Sequence, residues 1–424
     1  SKKYAEAKLI DVLQPSKDEV EVEFQDIPGA PYIQLSIELQ HKYKKESTLS
    51  LFKRIGKVEN IDDLFDEFIS SPNVFHYRNK MEYGFSAIGY DRINKTDKDE
   101  FTLGFKRRGV WWMGDNLEKD SGLFDKQMED NLKNIRNYCQ KTGLEPWHGP
   151  KKQGFFRYFV VRKSFKTDEL LCNLVTTSPN LDKFDLQKFA QFLKDIFGER
   201  LAGLLHTIND EVGDRTIATS GSLELVYGKD KIVEELLGLN FEISMKSFFQ
   251  TNPKCAEKLY AKVVEYVLED KSKVDNSVVM DLFCGTGTIG QIVASRSENA
   301  KIVGVDIVEP VIVCVPTSVG AAIVVPANNS SDCTAWVVYC CVAAEANSGD
   351  LIWDVTYLSA NSSFVPNFCC WGWEAVGMFS NFLASSPTAN FCLILFNLIR
   401  FTFVNIIYLF NKKIICTTYN TSYN

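Results

Sequence analysis

Val278–Gly290 reads VVMDLFCGTGTIG, and the fold class turns on it. An apolar run that ends in Asp281 and Phe283 has the pattern of a strand in a parallel sheet, covered on both faces. Gly285, Gly287 and Gly290 follow at once. Glycines just past such a strand let the chain turn sharply and let its backbone approach a ligand closely. A helix from Ile289 begins there with free N–H groups. Lys301–Val308, KIVGVDIV, is the next strand, so the segment predicts a βαβ unit. Asp306 lies near the end of that strand, where a carboxylate can accept from both ribose hydroxyls of an adenosine.

Upstream, Lys246–Pro253 reads KSFFQTNP and precedes a helix expected over Cys255–Leu268. Gln250 is the notable residue, because a buried amide without a partner costs about 1–3 kcal/mol. An amide both donates and accepts, which suits a zwitterionic amino-acid group. Further upstream the chain alternates strands and helices. Strands are expected at Lys80–Ala87, Phe101–Lys106, Phe155–Arg162, Glu169–Val175, Leu201–Asn209 and Ile217–Val226. Helices are expected at Ile37–Ile55, Ile61–Ile69, Phe124–Cys139 and Phe184–Phe197. Residues 1–40 read as a strand and turn. The fold class is therefore α/β.

Phe75–Ser86, FHYRNKMEYGFS, interleaves Arg78, Asn79 and Lys80 with Tyr77 and Tyr83. Lys106, Arg107 and Arg108 precede Trp111 and Trp112, and Lys151, Lys152, Phe155, Phe156, Arg157, Arg162 and Lys163 continue the pattern. Cations grip phosphates and aromatic rings stack on unpaired bases, so this mixture points to RNA. A solvated strand face backed by core aromatics has the same composition. His41, His76, His148 and His206 are scattered, with no metal-ligand spacing, and read as structural or surface residues.

The chain has 424 residues, 47 basic and 54 acidic, for a net charge of −7. That is globular composition with room for about two to three domains. It excludes a uniformly basic nucleic-acid coat protein and leaves room for a local basic face. Residues 1–20 have no apolar signal-peptide core, and a chain that opens at Ser1 implies an amino terminus further upstream. The average hides a break near Glu309. Pro310–Asn424 holds eight charged residues, yet eight of the twelve cysteines. It shows no sustained period, no repeated cysteine spacing and no zinc pattern. A frame error or retained intron is the favoured reading, ahead of an unusual domain or a membrane anchor. Phe391–Phe410 has the length of one membrane span. Arg400 at its centre costs about 2.5–3.5 kcal/mol on insertion, so membrane contact is not expected.

The glycine stretch fits two ligands. Gly285, Gly287 and Gly290 spell GxGxxG, a dinucleotide fingerprint. Asp281, four residues before the first glycine, turns it into D-x-F-C-G-x-G, which resembles the first motif of S-adenosylmethionine-dependent methyltransferases. The methyl donor is favoured over a nicotinamide cofactor.

Taken together, the stretches resemble the RNA 5-methyluridine methyltransferase family, whose members methylate uracil in transfer or ribosomal RNA. The resemblance is carried by Tyr77–Phe85, Gly154–Arg157 with the strand after it, Ser247–Asn252, Asp281–Gly287 and Val303–Glu309. It is collinear and stops at about residue 309. It implies a cofactor site of Gln250, Phe283, Gly285, Gly287, Thr288 and Asp306, and an RNA-facing set of Arg78, Asn79, Lys80, Arg107 and Arg157. It also implies four regions: residues 1–70 with the end of a small β-barrel, 71–240 as a central RNA-facing α/β domain, 241–309 as the first part of a Rossmann-like domain, and 310–424 as an atypical tail.

Two departures follow. Relatives that bind an iron–sulfur cluster place cysteines where Phe24–Gln34 has none, so no cluster is expected. The family's cysteine nucleophile and glutamate base lie in segments absent after Glu309, so no catalytic residue is assigned and turnover by the chain as written is not expected. Cys284 reads as a small packed residue. The missing strands imply an open sheet edge. The alternatives are a non-catalytic RNA-binding module, membrane-tethered or not, and an NAD-dependent oxidoreductase. No protein partner is expected, and the compartment is cytoplasmic or organellar.

Overall fold

A computed structural model describes residues 12–306, apart from 92–93, 95, 214, 217–221, 270–277, 283 and 298–300, together with short strands between 314 and 417. Helices α1 (Ile37–Arg54) and α2 (Ile61–Leu64) lead into β1 (Phe65–Ile69). Strands β2 (Lys80–Asp91), β3 (Thr96–Arg107) and β4 (Val110–Asn116) precede helices α3 (Lys126–Asp130) and α4 (Leu132–Lys141). Then come β5 (Phe156–Lys163), β6 (Leu170–Thr176), α5 (Leu186–Phe197), β7 (Leu201–Ile208) and β8 (Leu223–Gly228). A hairpin of β9 (Lys231–Leu236) and β10 (Leu239–Ser244) joins them to α6 (Pro253–Leu268), β11 (Val278–Leu282), α7 (Thr288–Ala294) and β12 (Lys301–Asp306). The later strands are β13 (Cys314–Val315), β14 (Ala322–Ile323), β15 (Val337–Cys341), β16 (Tyr408–Phe410) and β17 (Lys413–Thr417).

A seven-stranded sheet runs in the order β3-β4-β2-β5-β6-β7-β8. β6 and β7 are parallel, joined through α5, while β2–β5, β5–β6 and β7–β8 are antiparallel. β6 is buried at every position and β5 at all but its last. Strands buried on both faces need a cover on each side. Tyr158, Val160, Leu171 and Val175 enter one core with Ile232, Phe241, Leu259, Val279, Ile292 and Ile302. Phe159, Val161, Leu170, Cys172 and Leu174 point into the other, with Leu132 and Ile135 of α4 and Phe189 and Leu193 of α5. Each fully buried side chain of this size contributes about 1.5–3 kcal/mol. The first core is continuous from the central sheet to β11 and β12, and the boundary expected near residue 240 falls within β10.

Local chemistry sets the helix ends. Asp185 accepts from Lys188 N at 3.0 Å to start α5, and Gly198, with φ of +57°, ends it. The single helix expected over 124–139 is two, because Asp125 caps α3 and Asn131 interrupts the run. The amphipathic stretch from Ile61 is helical only to Leu64, after which Phe65–Ile69 pairs in parallel with β17. The sheet edge expected to lie open beyond β12 is paired instead: β15 runs antiparallel to it, with Val303 opposite Cys340. Residues 391–407 of the span considered from sequence lie outside the described residues, and 408–410 form β16. Among the described residues no helix is long and apolar enough to cross a membrane.

Arg157 requires a correction. It does not face solvent: its exposure is 1%, and its guanidinium donates to the carbonyls of Asn209 at 2.8 Å, Glu211 at 2.6 Å and Gly213 at 2.6 Å. The same group lies 4.3 Å from the centroid of the Trp147 ring. A guanidinium committed to three carbonyls and an indole face is a loop latch, and phosphate has no access to it. Arg157→Ala should lower unfolding free energy by about 2–4 kcal/mol, since it strands buried carbonyls. Denaturant melts check this, and RNA affinity measured on the folded variant should stay close to wild type.

Asp125 gathers a second network. Its carboxylate accepts from Met128 N at 3.1 Å, Lys163 Nζ at 2.7 Å and Arg200 Nη2 at 2.6 Å. Burial alone would raise its pKa, but the hydrogen bonds from Arg200 and Lys163 outweigh that and hold it at about 2. A depressed carboxylate stabilises the fold above its unfolded value near 4, and the contribution disappears as pH falls through about 2. Asp125→Ala should cost about 3 kcal/mol at neutral pH. The difference from wild type, followed by melting temperature, should shrink between pH 4 and about pH 2.

Candidate functional site

The turn after β11 is built around a carboxylate. Asp281, 3% exposed, accepts from Gly290 N at 2.9 Å through Oδ2. A Cβ on Gly290 would stand 3.0 Å from that oxygen and 3.3 Å from Ile302 Cγ2, tight contacts that a side chain there could make only if Asp281 or Ile302 shifted by a few tenths of an ångström. Gly285 and Gly287 have φ of +56° and +68°, the left-handed region that glycine enters without strain. Gly287 N donates to Cys284 O at 2.8 Å and closes the turn. A Cβ at Gly285 would meet nothing within 4 Å, so this side of the loop borders open space.

Polar groups surround the turn. The hydroxyls of Thr286 and Thr288 are 2.9 Å apart, and Gln291 Nε2 donates to Thr286 O at 3.1 Å. Gln291 Oε1 is buried without a hydrogen-bond partner. Parallel pairing sets Leu282 opposite Val305, which carries Asp306 to the same end of the sheet as the loop. The side chain of Asp306 and all of Phe283 lie outside the described residues.

Gln250 closes one side of the site. It is 6% exposed and its side chain hydrogen-bonds Tyr260 of α6. Burial raises the Tyr260 phenol, and the nearby charge of Asp281 raises it further. One tyrosine thus hydrogen-bonds Gln250 and feels the charge of the carboxylate under the glycine turn. Asn252 caps α6, accepting from Cys255 N at 3.0 Å while its amide donates to Ser71 Oγ at 2.9 Å. Phe249 is buried against Phe241, whereas Phe248 is 53% exposed.

The start of β2 meets this segment. Asn79 N donates to Thr251 O at 2.8 Å, and Asn79 Nδ2 donates to Gln250 O at 3.0 Å. On the adjacent strand Arg162 lies opposite Lys80, and its Nη2 donates to Ser247 O. Lys80 Nζ pairs with Glu82 Oε1 at 2.5 Å. Burial lowers the pKa of both Lys80 and Arg78. Arg78 N donates to Leu123 O at 3.0 Å, in a loop held by Glu129, which accepts from Ser121 N at 2.7 Å and from Tyr83 OH at 3.1 Å. Burial pushes the Glu129 carboxyl up to about 8.

The structure therefore bonds Asn79 to Gln250 and Gln250 to Tyr260, which feels the charge of Asp281 under the turn that carries Gly285, Gly287 and Thr288, with Arg78 and Lys80 on either side of Asn79 in sequence. Arg107 lies at the far end of β3, stacked 3.2 Å from the centroid of the Tyr90 ring. A cleft of about 1220 Å³ lined by Trp147, His148, Lys151, Lys152 and Lys183 contains none of these residues. Sequence reading missed Tyr260, Gln291 and Glu82. Only Glu82 had a signal, standing two residues from Lys80 on one strand face. The four histidines have structural contacts: His76 with Phe124 O, His148 with Lys151 N, His206 with Thr176, and His41 with the Phe68 ring. Among the described residues no group of three or more His, Cys, Asp or Glu could hold a metal ion.

Comparison with known proteins follows the same lines. A family profile described as a methyltransferase domain matches residues 273–313, which include the glycine turn. An uncharacterized RNA methyltransferase of Clostridium tetani is 36% identical over 312 residues, covering 73% of this chain and 64% of the relative. A second, from Caldanaerobacter subterraneus subsp. tengcongensis, is 38% identical over 312 residues, covering 72% and 64%. The chain thus spans less than two thirds of the length of these relatives. The fold is similar to that of the Pyrococcus abyssi tRNA (uracil-54, C5)-methyltransferase, solved in complex with S-adenosyl-L-homocysteine. The TM-score is 0.50 at 23% identity, over 70% of this chain and 62% of the other. The likeness to proteins named RNA methyltransferases thus runs over most of this chain, and the methyltransferase profile takes in the glycine turn.

Proposed function

We propose that the glycine turn and Gln250 hold S-adenosylmethionine, and that the protein acts on a uracil carbon 5 in tRNA or rRNA. The observation that carries this reading is the convergence of Gln250, Tyr260 and Asp281 beside a turn whose left-handed glycines border open space. The residues fit the cofactor. Gln291 Oε1 is a buried acceptor without a partner, and the Thr286 and Thr288 hydroxyls can donate or accept. Gln250 offers an amide to the ammonium and carboxylate of an amino-acid group, and Asp306 offers a carboxylate to ribose hydroxyls.

The cofactor supplies an electrophilic methyl group. The protein's own contribution is to bind, orient and exclude water. Uracil carbon 5 is a poor nucleophile, so the chemistry requires a thiolate adding at carbon 6 and a base for the carbon 5 proton. Cys139, Cys172 and Cys255 are buried, and burial pushes the Cys139 and Cys172 thiols up, so these two are packing residues rather than nucleophiles. Of the two cations proposed to meet RNA, Lys80 lies nearer the surface, while Arg78, 7% exposed with its Nε donating to Lys80 O at 3.3 Å, backs it. A nicotinamide cofactor draws no support from the relatives.

Gln250→Ala should weaken S-adenosylhomocysteine binding about tenfold, the loss of one or two hydrogen bonds, with RNA affinity little changed. Asp306→Ala should act in the same direction. Arg78→Ala and Lys80→Ala should weaken binding of a uridine-loop RNA hairpin and flatten its salt dependence, leaving the cofactor affinity near wild type. Calorimetry with S-adenosylhomocysteine and filter binding with the hairpin measure both. Quenching of tryptophan fluorescence by NADH but not by S-adenosylhomocysteine would overturn the reading.

A further inference from the structure

Asn79 stands in sequence between the two cations proposed to meet RNA, yet its own polar groups turn to the cofactor side. Its backbone N–H holds Thr251 O at 2.8 Å, and its side-chain Nδ2 holds Gln250 O at 3.0 Å. Its carbonyl accepts from Lys163 N at 2.8 Å, which fastens it to the neighbouring strand. Arg162 grips the same segment upstream, at Ser247 O. Ser247–Thr251 is therefore hung on the β2 and β5 ends at both of its own ends, with Gln250 at one attachment point. Asn79 is 1% exposed, and its Oδ1, on the other side of the amide, has no hydrogen-bond partner. A buried acceptor left in this state carries a cost that a donor arriving with a ligand removes. A donor there also polarises the amide and strengthens the bond that Nδ2 makes to Gln250 O.

We infer that Asn79 is a positioning residue that couples RNA binding at Arg78 and Lys80 to cofactor binding at Gln250. This rests on the reading of those residues given above. RNA seated on the β2 end fixes the Asn79 amide, and the fixed amide holds the Gln250 backbone where its side chain meets the cofactor. Coupling of this kind is reciprocal: the factor by which RNA tightens the cofactor equals the factor by which the cofactor tightens RNA.

The test measures both factors on the full chain, with S-adenosylhomocysteine by calorimetry and the uridine-loop hairpin by filter binding, each with and without the other. Wild type should show equal factors of about five- to tenfold. Asn79→Ala should bring both below about twofold. Asn79→Asp, of the same size but without the donor, should do the same on the cofactor side and guards against a variant that fails to fold. Two ligands that bind independently in wild type, or coupling that survives in both variants, would overturn the inference and leave the site assignment standing. Failure of wild type to bind either ligand at all would overturn the site assignment and the inference with it. A merely structural Asn79 would lower melting temperature and leave the ratio of the two affinities unchanged.

Discussion

The architecture depends on covering both faces of β5 and β6. Fourteen of their fifteen positions are buried, so each strand sends alternate side chains into two different cores. A strand pair of this kind cannot sit at the surface of a domain. Helices α4 and α5 cover one side. The other side needs a partner of equal extent, and the β9–β10 hairpin with α6, β11 and α7 provides it. The sheet that faces RNA in the proposed function and the turn that faces the cofactor are thus two sides of one packing problem.

Polar bonds give the apolar contact its register. Apolar surfaces slide at little cost, whereas hydrogen bonds fix relative position because a misplaced buried donor is penalised. Asn79 on Gln250 and Thr251, Arg162 on Ser247, Asn252 on Ser71 and Tyr266 on Asp66 all cross between the two parts of the chain. Each uses a backbone carbonyl or a short polar side chain as its partner. The site lies along this seam, which is why Gln250 can be both buried and close to the β2 end.

Much of this was legible in the sequence, for identifiable reasons. The glycine turn was readable because its three glycines follow an apolar strand, and each has a geometric duty in the structure. Helices α5 and α6 were expected within a few residues of their observed ranges, and the structure adds the Asp185 and Asn252 caps that start them. The β9–β10 hairpin was not, because its turn is Leu237–Gly238, with Leu237 at φ of +52°, where the familiar signal is Asn-Gly or Asp-Gly. Arg157 was misplaced for an identifiable reason. Composition counts a guanidinium as a phosphate grip, but the same group binds carbonyls and ring faces equally well. Arg157 took both.

The span of the seam contacts bears on how the chain is born. The Asn79–Gln250 bond joins residues 171 apart, Asn252–Ser71 joins residues 181 apart, and Tyr266–Asp66 joins residues 200 apart. At ribosomal rates of about 5–20 residues per second, the β2 end waits some 10–30 seconds for the segment it will hold. During that interval the faces of Tyr158, Val160 and Leu171 have no cover from the later part of the chain. Nascent strands in that condition are what chaperones recognise. The architecture that joins the two sides of the site also leaves a half-made sheet with one bare face on the ribosome.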